Sequence, residues 1–257
     1  MRVKLINQVS ARRNQLHAIF VPEGAKLNLL SGLPSTSSWK SDFPDKKFSV
    51  LTLRGEAGKR WTLIRLPKQK KISSEDVRQA SGLARKEAEH LGSSVLNLDM
   101  LYLSDKESGV QAAVEGSVMA GHDLGLHKTK KVKYSVKAVQ VANAGNSKAV
   151  KKSLNYGFHG AIANLAARDL QNEPANILTP KEFAARARKV CRASSQIGCK
   201  VLGEKKMSEL GMGSLLGVSQ GAMNEAQLVH MTYKPKGKSK GKIALVGKGL
   251  TFDTGGI

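Results

Sequence analysis

The stretch WTLIRLPKQKKISSEDVRQASGLARKEAEHLGSSVLNLDMLYL, from Trp61 to Leu103, indicates the fold class of this 257-residue chain. Trp61–Leu66 is β-rich and predicts a strand, and Val95–Leu103 is a second apolar run. Between them, a serine cap, acids in the first turn and apolar residues at helical spacing predict a helix that opens at Ser74 and ends near Gly92. This alternation is typical of a mixed α/β protein.

The rest of the first half continues the pattern. We predict strands at Val3–Ile6, His17–Val21, Phe48–Leu53 and Tyr134–Ala142, a helix at Val110–Met119, and a hairpin loop, RGEAGKR, between Phe48–Leu53 and Trp61–Leu66. Near Ala144-Gly-Asn-Ser147 the strand pattern gives way to a long helical one. We therefore predict an N-terminal domain at residues 1–144 and a second domain at residues 145–257.

The second half alternates helices and strands. Predicted helices cover Ser147–Leu170, a segment from an N-cap at Thr179 to about Ser195, and Glu204–Leu210; predicted strands cover Cys199–Leu202, Gln227–Tyr233 and a buried Lys242–Val246. The glycine-rich run Leu210–Ala222 indicates close packing of backbone against backbone. This alternation predicts a doubly covered, largely parallel sheet.

The charge of the chain is strongly positive, with 42 Lys and Arg against 20 Asp and Glu and a formal net charge of +22. No acidic residue occurs between Asp123 and Asp169. Such a segment favours polyanions such as DNA or RNA, and its alternative is a solvated loop. The candidate polyanion-binding residues are Lys128, Lys130, Lys131 and Lys133. Aromatic residues make up only 5% of the chain, which argues against a surface that stacks bases.

Composition also bears on the compartment. The two cysteines, Cys191 and Cys199, suit a reducing compartment, and we interpret them as a helix face and a buried strand start rather than as a redox pair. No apolar run approaches the roughly 20 residues that cross a bilayer, so no membrane association is expected. The basic N-terminus lacks a secretory core. We expect a cytoplasmic protein, with an organelle matrix as the alternative.

The segment VGKGLTFDTGGI, from Val246 to Ile257, holds the candidate chemistry. It is not a P-loop, because Gly249 rather than Ser or Thr follows Lys248. Asp253 at the exit of a strand can ligate a divalent cation, and a lysine can do so only as the neutral amine. The alternative is a glycine-rich turn with a surface lysine.

This segment resembles the metal-binding segment of the leucyl (cytosol) aminopeptidase family, which contains two-metal exopeptidases. Two further stretches in the second half are similar to that family in the correct order, namely ARDLQNEPANILTPKEFA (Ala167–Ala184) and LGMGSLLGVSQGAMNEAQLVHMTY (Leu210–Tyr233). A weaker resemblance covers AVEGSVMAGHDLGLHKTKK (Ala113–Lys131). The resemblance implies a macro-like N-terminal α/β domain with a mixed sheet, followed by the first part of a mainly parallel catalytic domain.

The resemblance also implies a function. Lys248 would bind one of two divalent ions, zinc or manganese, and Asp253 would bridge them, in a hexameric enzyme that removes N-terminal residues from peptides. The family's other ligands and catalytic groups lie downstream of this motif. We therefore expect that the sequence is a fragment, that it has no catalytic residues of its own and that it is inactive alone. The alternative is a non-catalytic protein that binds nucleic acid or a ribonucleoprotein through its basic surface.

Overall fold

A computed structural model describes residues 1–9, 12, 14–26, 33, 39–55, 58–123, 125, 127–130, 132–237 and 241–253. The chain divides into two compact units, Met1–Asp169 and Leu170–Ile257. Within the described ranges, no helix has the length and apolar content needed to cross a bilayer. The compact units divide between residues 169 and 170. The predicted domain boundary at residues 144 and 145 stays a prediction.

The first unit is built on one sheet of six described strands. These are β1 (Arg2–Ile6), β2 (Gln15–Pro22), β3 (Val50–Arg54), β4 (Arg60–Leu66), β5 (Val95–Asp99) and β6 (Ala138–Ala142). Their spatial order is β1-β6-β5-β2-β4-β3. All neighbours run parallel except β3 and β4, which form the predicted hairpin. The mixed, mainly parallel sheet confirms the predicted fold class.

Side chains alternate across this sheet and form two cores. On one face, Leu16, Ala18 and Phe20 of β2 join a cluster with the helices α1 (Ser74–His90) and α2 (Lys106–Met119). On the other face, Ile19 and Val21 join a cluster that includes Trp39, Phe43, Trp61 and Leu63. Successive side chains of β2 point to opposite faces of the sheet, and both faces are covered. This explains why β2 is apolar almost throughout.

Helix α1 begins at a capping box. The Ser73 hydroxyl accepts a hydrogen bond from the Asp76 N–H at 3.2 Å, and the Asp76 carboxylate accepts one from the Ser73 N–H at 2.9 Å. Both bonds satisfy backbone donors that the first turn would otherwise leave unpaired. The serine cap expected from the sequence is therefore Ser73. At the other end, the chain leaves the helix through Gly92, whose φ is 65°.

Helices α1 and α2 approach each other at a glycine. A Cβ atom at Gly116 would overlap the carbonyl oxygen of Arg78 on α1, so only glycine fits there. The third helix, α3 (Lys148–Asn172), buries Val150, Leu154, Gly157 and Ala161 along one side. At Gly157 a Cβ atom would lie 2.5 Å from the carbonyl oxygen of Gln111 on α2. These glycines set how closely the helices pack.

The second unit contains α4 (Pro180–Cys191), β7 (Ile197–Leu202), α5 (Glu204–Glu209), α6 (Gly213–Ser219) and β8 (Leu228–Tyr233). As predicted, the Thr179 hydroxyl caps α4 and Pro180 is its first residue. Strands β7 and β8 pair antiparallel, although the helix–strand alternation predicted parallel strands here. Antiparallel pairing requires β8 to begin beside the end of β7. A hydrogen bond lies at that place, from the Ala226 N–H to the carboxylate of Glu204 at 2.8 Å.

The predicted buried strand Lys242–Val246 is wrong. Residues 241–253 contain no strand among those described, and Ile243, Leu245 and Val246 are 91%, 95% and 97% exposed. A strand needs a neighbour that takes up its backbone N–H and C=O groups. No described strand pairs with this segment, so its apolar pattern alone does not make it extended and buried.

Candidate metal-binding segment

Lys248 and Asp253 lie in the segment of residues 241–253, which follows β8 in the chain. Both residues are exposed. Their apolar neighbours Leu250 and Phe252 are 50% and 68% exposed. Residues 254–257, the end of the predicted motif, lie outside the described part of the chain. The structure therefore places both predicted ligands on one water-accessible segment.

These two residues do not form a complete divalent-metal site. Metal ions of this class usually take four to six ligands. Within the described ranges, no group of three or more His, Cys, Asp or Glu side chains is placed to hold a metal. Lys248 and Asp253 offer one amine and one carboxylate, which leaves a divalent ion short of ligands. No reaction step can be assigned to a metal held by these residues alone.

Three histidines near the basic segment have different surroundings. The His122 Nε2 atom lies 2.7 Å from the Asp169 carboxylate, and the His122 carbonyl accepts a hydrogen bond from the Tyr134 hydroxyl at 2.9 Å. Its Nδ1 atom is buried without a hydrogen-bond partner among the described residues. His127 and His159 are exposed. His122 thus joins its loop to α3 through one carboxylate.

The candidate polyanion-binding lysines are surface residues. Lys128, Lys130 and Lys133 are exposed, whereas Lys131 lies outside the described residues. Exposed lysines fit a solvated loop as well as a polyanion site. Nucleic-acid binding through these residues stays a prediction.

Arg186 organises the beginning of the second unit. Its guanidinium donates to the two carboxylate oxygens of Glu173, each at 2.9 Å, and to Glu182 at 2.8 Å. The hydrogen bonds that Arg186 donates to Glu173, and then the one to Glu182, raise the pKa of Arg186 above its ordinary value. The i, i+4 spacing of Glu182 and Arg186 was readable in the sequence, but the bidentate pair with Glu173 requires the fold. Glu173 therefore binds an arginine here.

A polar cluster in the first unit was not found from the sequence. Asp99, at the end of β5, accepts hydrogen bonds from His17 at 3.0 Å and from the Asn143 amide at 2.8 and 3.0 Å. Burial raises the pKa of Asp99, but the bonds from His17, Asn143 and the Leu101 N–H outweigh it and hold the pKa below its ordinary value. The only signal in the sequence was a single aspartate inside the apolar run Val95–Leu103.

The glycine-rich run around α6 differs from the expectation of close backbone packing. A Cβ atom at Gly213, Gly217 or Gly221 would meet nothing within 4 Å. Gly211 does have a conformational role, because its φ of 70° follows the end of α5 and glycine adopts it at little cost. The other glycines of this run are open on the surface of the unit.

The fold and the segment of residues 241–253 together define the class of protein. It is an α/β protein whose first unit has a mainly parallel sheet, and its second unit carries a glycine-rich motif with an exposed lysine and an exposed aspartate. Comparison with known proteins identifies the family. Residues 165–257 match the model described as the cytosol aminopeptidase family, catalytic domain. This part of the chain belongs to that family.

The alignments with relatives cover most of this chain but only about half, or less, of each relative. Leucine aminopeptidase 1 of Arabidopsis thaliana is 34% identical over 233 residues, which cover 88% of this chain and 45% of that protein. The neutral chloroplastic leucine aminopeptidase of Solanum lycopersicum is 33% identical over 235 residues, which cover 88% and 41%. A mutant of tomato leucine aminopeptidase superposes with a TM-score of 0.86 at 26% identity, covering 99% of this chain and 55% of that one. The chain thus spans less than half the length of these two curated relatives.

Proposed function

We propose that this chain is part of a metal-dependent aminopeptidase that removes N-terminal residues from peptides, with a leucine-type preference. One observation carries the proposal: the match of residues 165–257 to the family's catalytic-domain model includes both Lys248 and Asp253. The relatives named above are leucine aminopeptidases and support the same reaction class.

We propose Lys248 and Asp253 as the first ligands of its metal site. A carboxylate is an oxygen ligand that divalent ions favour, and an amine can coordinate once it has lost its proton. The exposure of both residues leaves them accessible to further ligands. Because the matched part is less than half of each curated relative, the family protein has additional residues that can supply them.

The resemblance extends the proposal to finer properties. The ions would be two, zinc or manganese, and the substrates would be peptides with a free N-terminus. The complete enzyme would be a homo-hexamer in the cytoplasm, with an organelle matrix as the alternative. Metal analysis and light scattering on the complete protein would test the ion count and the assembly.

Hydrolysis of leucine p-nitroanilide with added manganese tests the function. We expect the 257-residue polypeptide alone to give no turnover above a metal-only blank, because two ligands hold a divalent ion poorly. We expect a form extended by the region that the relatives possess beyond the match to be active. In that form, Lys248→Ala or Asp253→Ala should cost more than the roughly 10–100-fold that losing an outer-shell partner costs.

The matched control is Lys242→Ala in the same exposed segment, which should keep full activity. Clear turnover by the 257-residue polypeptide would contradict the expectation that it is inactive alone. Full activity of the Lys248→Ala variant would contradict the ligand assignment. An extended form that binds manganese yet hydrolyses no aminoacyl substrate would overturn the proposed function.

A further inference from the structure

The two cysteines of the chain lie on facing elements of the second unit. Cys191 is the last residue of α4 and is 5% exposed. Ala184, the other buried residue of this helix, precedes it by seven positions, which is about two helical turns, so both point to the same side. The C-terminal end of α4 thus presents a thiol to the interior of the unit.

Strand β7 presents the second thiol. Its residues alternate in exposure up to Val201, so that Ile197, Cys199 and Val201 are half-buried while Gly198 and Lys200 are exposed. Period-2 alternation places the half-buried residues on one face. Helix α4 packs against β7. Cys199 belongs to the half-buried face of that strand.

A tight reversal brings the two thiols together. The Ser194 N–H donates to the Cys191 carbonyl at 3.3 Å, and the Ile197 N–H donates to the Ser194 carbonyl at 3.1 Å. The Ser194 hydroxyl also accepts a bond from the Gln196 N–H at 3.2 Å. This reversal sets the end of α4 against β7, so that the Cys191 thiol has the free Cys199 thiol as a neighbour. The sequence interpretation treated the two residues as separate, because the reversal cannot be read from their spacing.

The two thiols differ in access. Burial raises the pKa of the Cys191 thiol, and the neighbouring Cys199 adds to this effect. Cys191 is also almost fully buried, which shields it from solvent. Cys199 is half-buried, so a small oxidant reaches it first. Access and thiolate character decide which cysteine reacts with peroxide.

We propose that Cys191 and Cys199 form a reversible, peroxide-sensitive thiol pair, with Cys199 as the attacked sulfur and Cys191 as the resolving one. Hydrogen peroxide transfers one oxygen to the Cys199 thiolate, which gives a sulfenic acid and hydroxide. The Cys191 sulfur then attacks the Cys199 sulfur, the S–O bond breaks, and water leaves with the thiol proton. Two thiols are oxidised and one peroxide is reduced to two waters; a small dithiol returns the pair to its reduced form.

Peptide mapping of the purified protein tests the pair. The protein is reduced, freed of reductant, treated with hydrogen peroxide, alkylated and digested with trypsin, which cuts after Lys189, Arg192 and Lys200. We expect loss of both alkylated cysteines and a disulfide-linked pair of peptides, 190–192 with 193–200, that dithiothreitol separates. Repeating the treatment in urea should slow the linkage, because the reversal that aligns the thiols is lost.

Two serine variants test the order of events. Cys191→Ser should stop at a sulfenic acid on Cys199 that dimedone captures, whereas Cys199→Ser should leave Cys191 alkylatable under the same treatment. The peptide map of the oxidised wild-type protein tests the disulfide even if one of the serine variants fails to fold. Thiols that stay alkylatable, links only between chains, or faster linkage in urea would each overturn the proposal.

Discussion

At the scale of single residues, the Asp99 carboxylate joins three neighbouring strands of the first unit. It lies at the end of β5, His17 lies in β2, and Asn143 follows β6 directly. Asn143 has a φ of 55°, a left-handed conformation that asparagine adopts more readily than most residues. The carboxylate thus fixes the chain as it leaves the sheet.

We expect Asp99→Ala to destabilise the protein by about 3 kcal/mol, because it leaves the half-buried donors of His17 and Asn143 without an acceptor. Urea unfolding followed by circular dichroism measures the change. Asp45→Ala is the control, since the Asp45 side chain is 66% exposed where it meets Arg65. Equal losses in the two variants would show that the Asp99 cluster has no special role.

The same cluster predicts an acid dependence. The folded-state pKa of Asp99 lies below its ordinary value, so the stabilisation is present above the unfolded-state pKa and is lost as the pH falls through the folded-state pKa. Asp99→Asn should therefore flatten the fall in unfolding free energy below about pH 4. An unchanged slope of unfolding free energy against pH would contradict this expectation.

Residue-level features were only partly predictable. The cap at Thr179 depends on neighbours three residues away, so the sequence was sufficient to find it. The bonds from His17 to Asp99 and from Arg186 to Glu173 join residues that are distant in the chain. Their partners follow from strand order and helix packing, which local patterns do not contain. Lys248 and Asp253 were recognisable only as a motif.

At the scale of elements, the contact between α1 and α2 depends on Gly116. We expect Gly116→Ala to destabilise the protein by about 1–3 kcal/mol, because the added methyl group overlaps the Arg78 carbonyl oxygen on α1. The matched control is Gly82→Ala on α1, where the new methyl group would lie 3.7 Å from the Ala120 Cβ atom. That variant should gain up to about 1 kcal/mol from a lower cost of ordering the helix backbone. Thermal unfolding compares them, and a Gly116→Ala variant as stable as wild type would contradict the packing argument.

Elements with strong local signals were predicted well, and pairings were not. Helical periodicity and caps were enough to predict α1, α3 and α4, whose positions agree within a few residues. The antiparallel pairing of β8 brings its beginning beside the end of β7, where Glu204 accepts a hydrogen bond from Ala226, and local patterns do not contain that contact. The apolar run of residues 242–246 resembles a strand in sequence, but strand formation depends on a partner that no described residue provides.

At the scale of the whole molecule, apolar side chains differ sharply in what they contribute. Leu98 is fully buried in the first unit, whereas Leu245 is 95% exposed. We expect Leu98→Ala to cost about 2–5 kcal/mol and Leu245→Ala to change stability by less than about 0.5 kcal/mol. Urea unfolding checks both. A large loss for Leu245→Ala would show that residues 241–253 pack against the protein.

The pairing of β1 has a consequence for synthesis. Among the six described strands β1 is translated first, yet its hydrogen-bonded partner is β6, the last of them in chain order. Domains form as their residues emerge. β1 therefore has no hydrogen-bonded place in the sheet until residue 142, the end of β6, has been translated. Until then, we expect Val3 and Leu5 of the nascent chain to be open to chaperones, so that the first of these six strands to be made is the last to be protected.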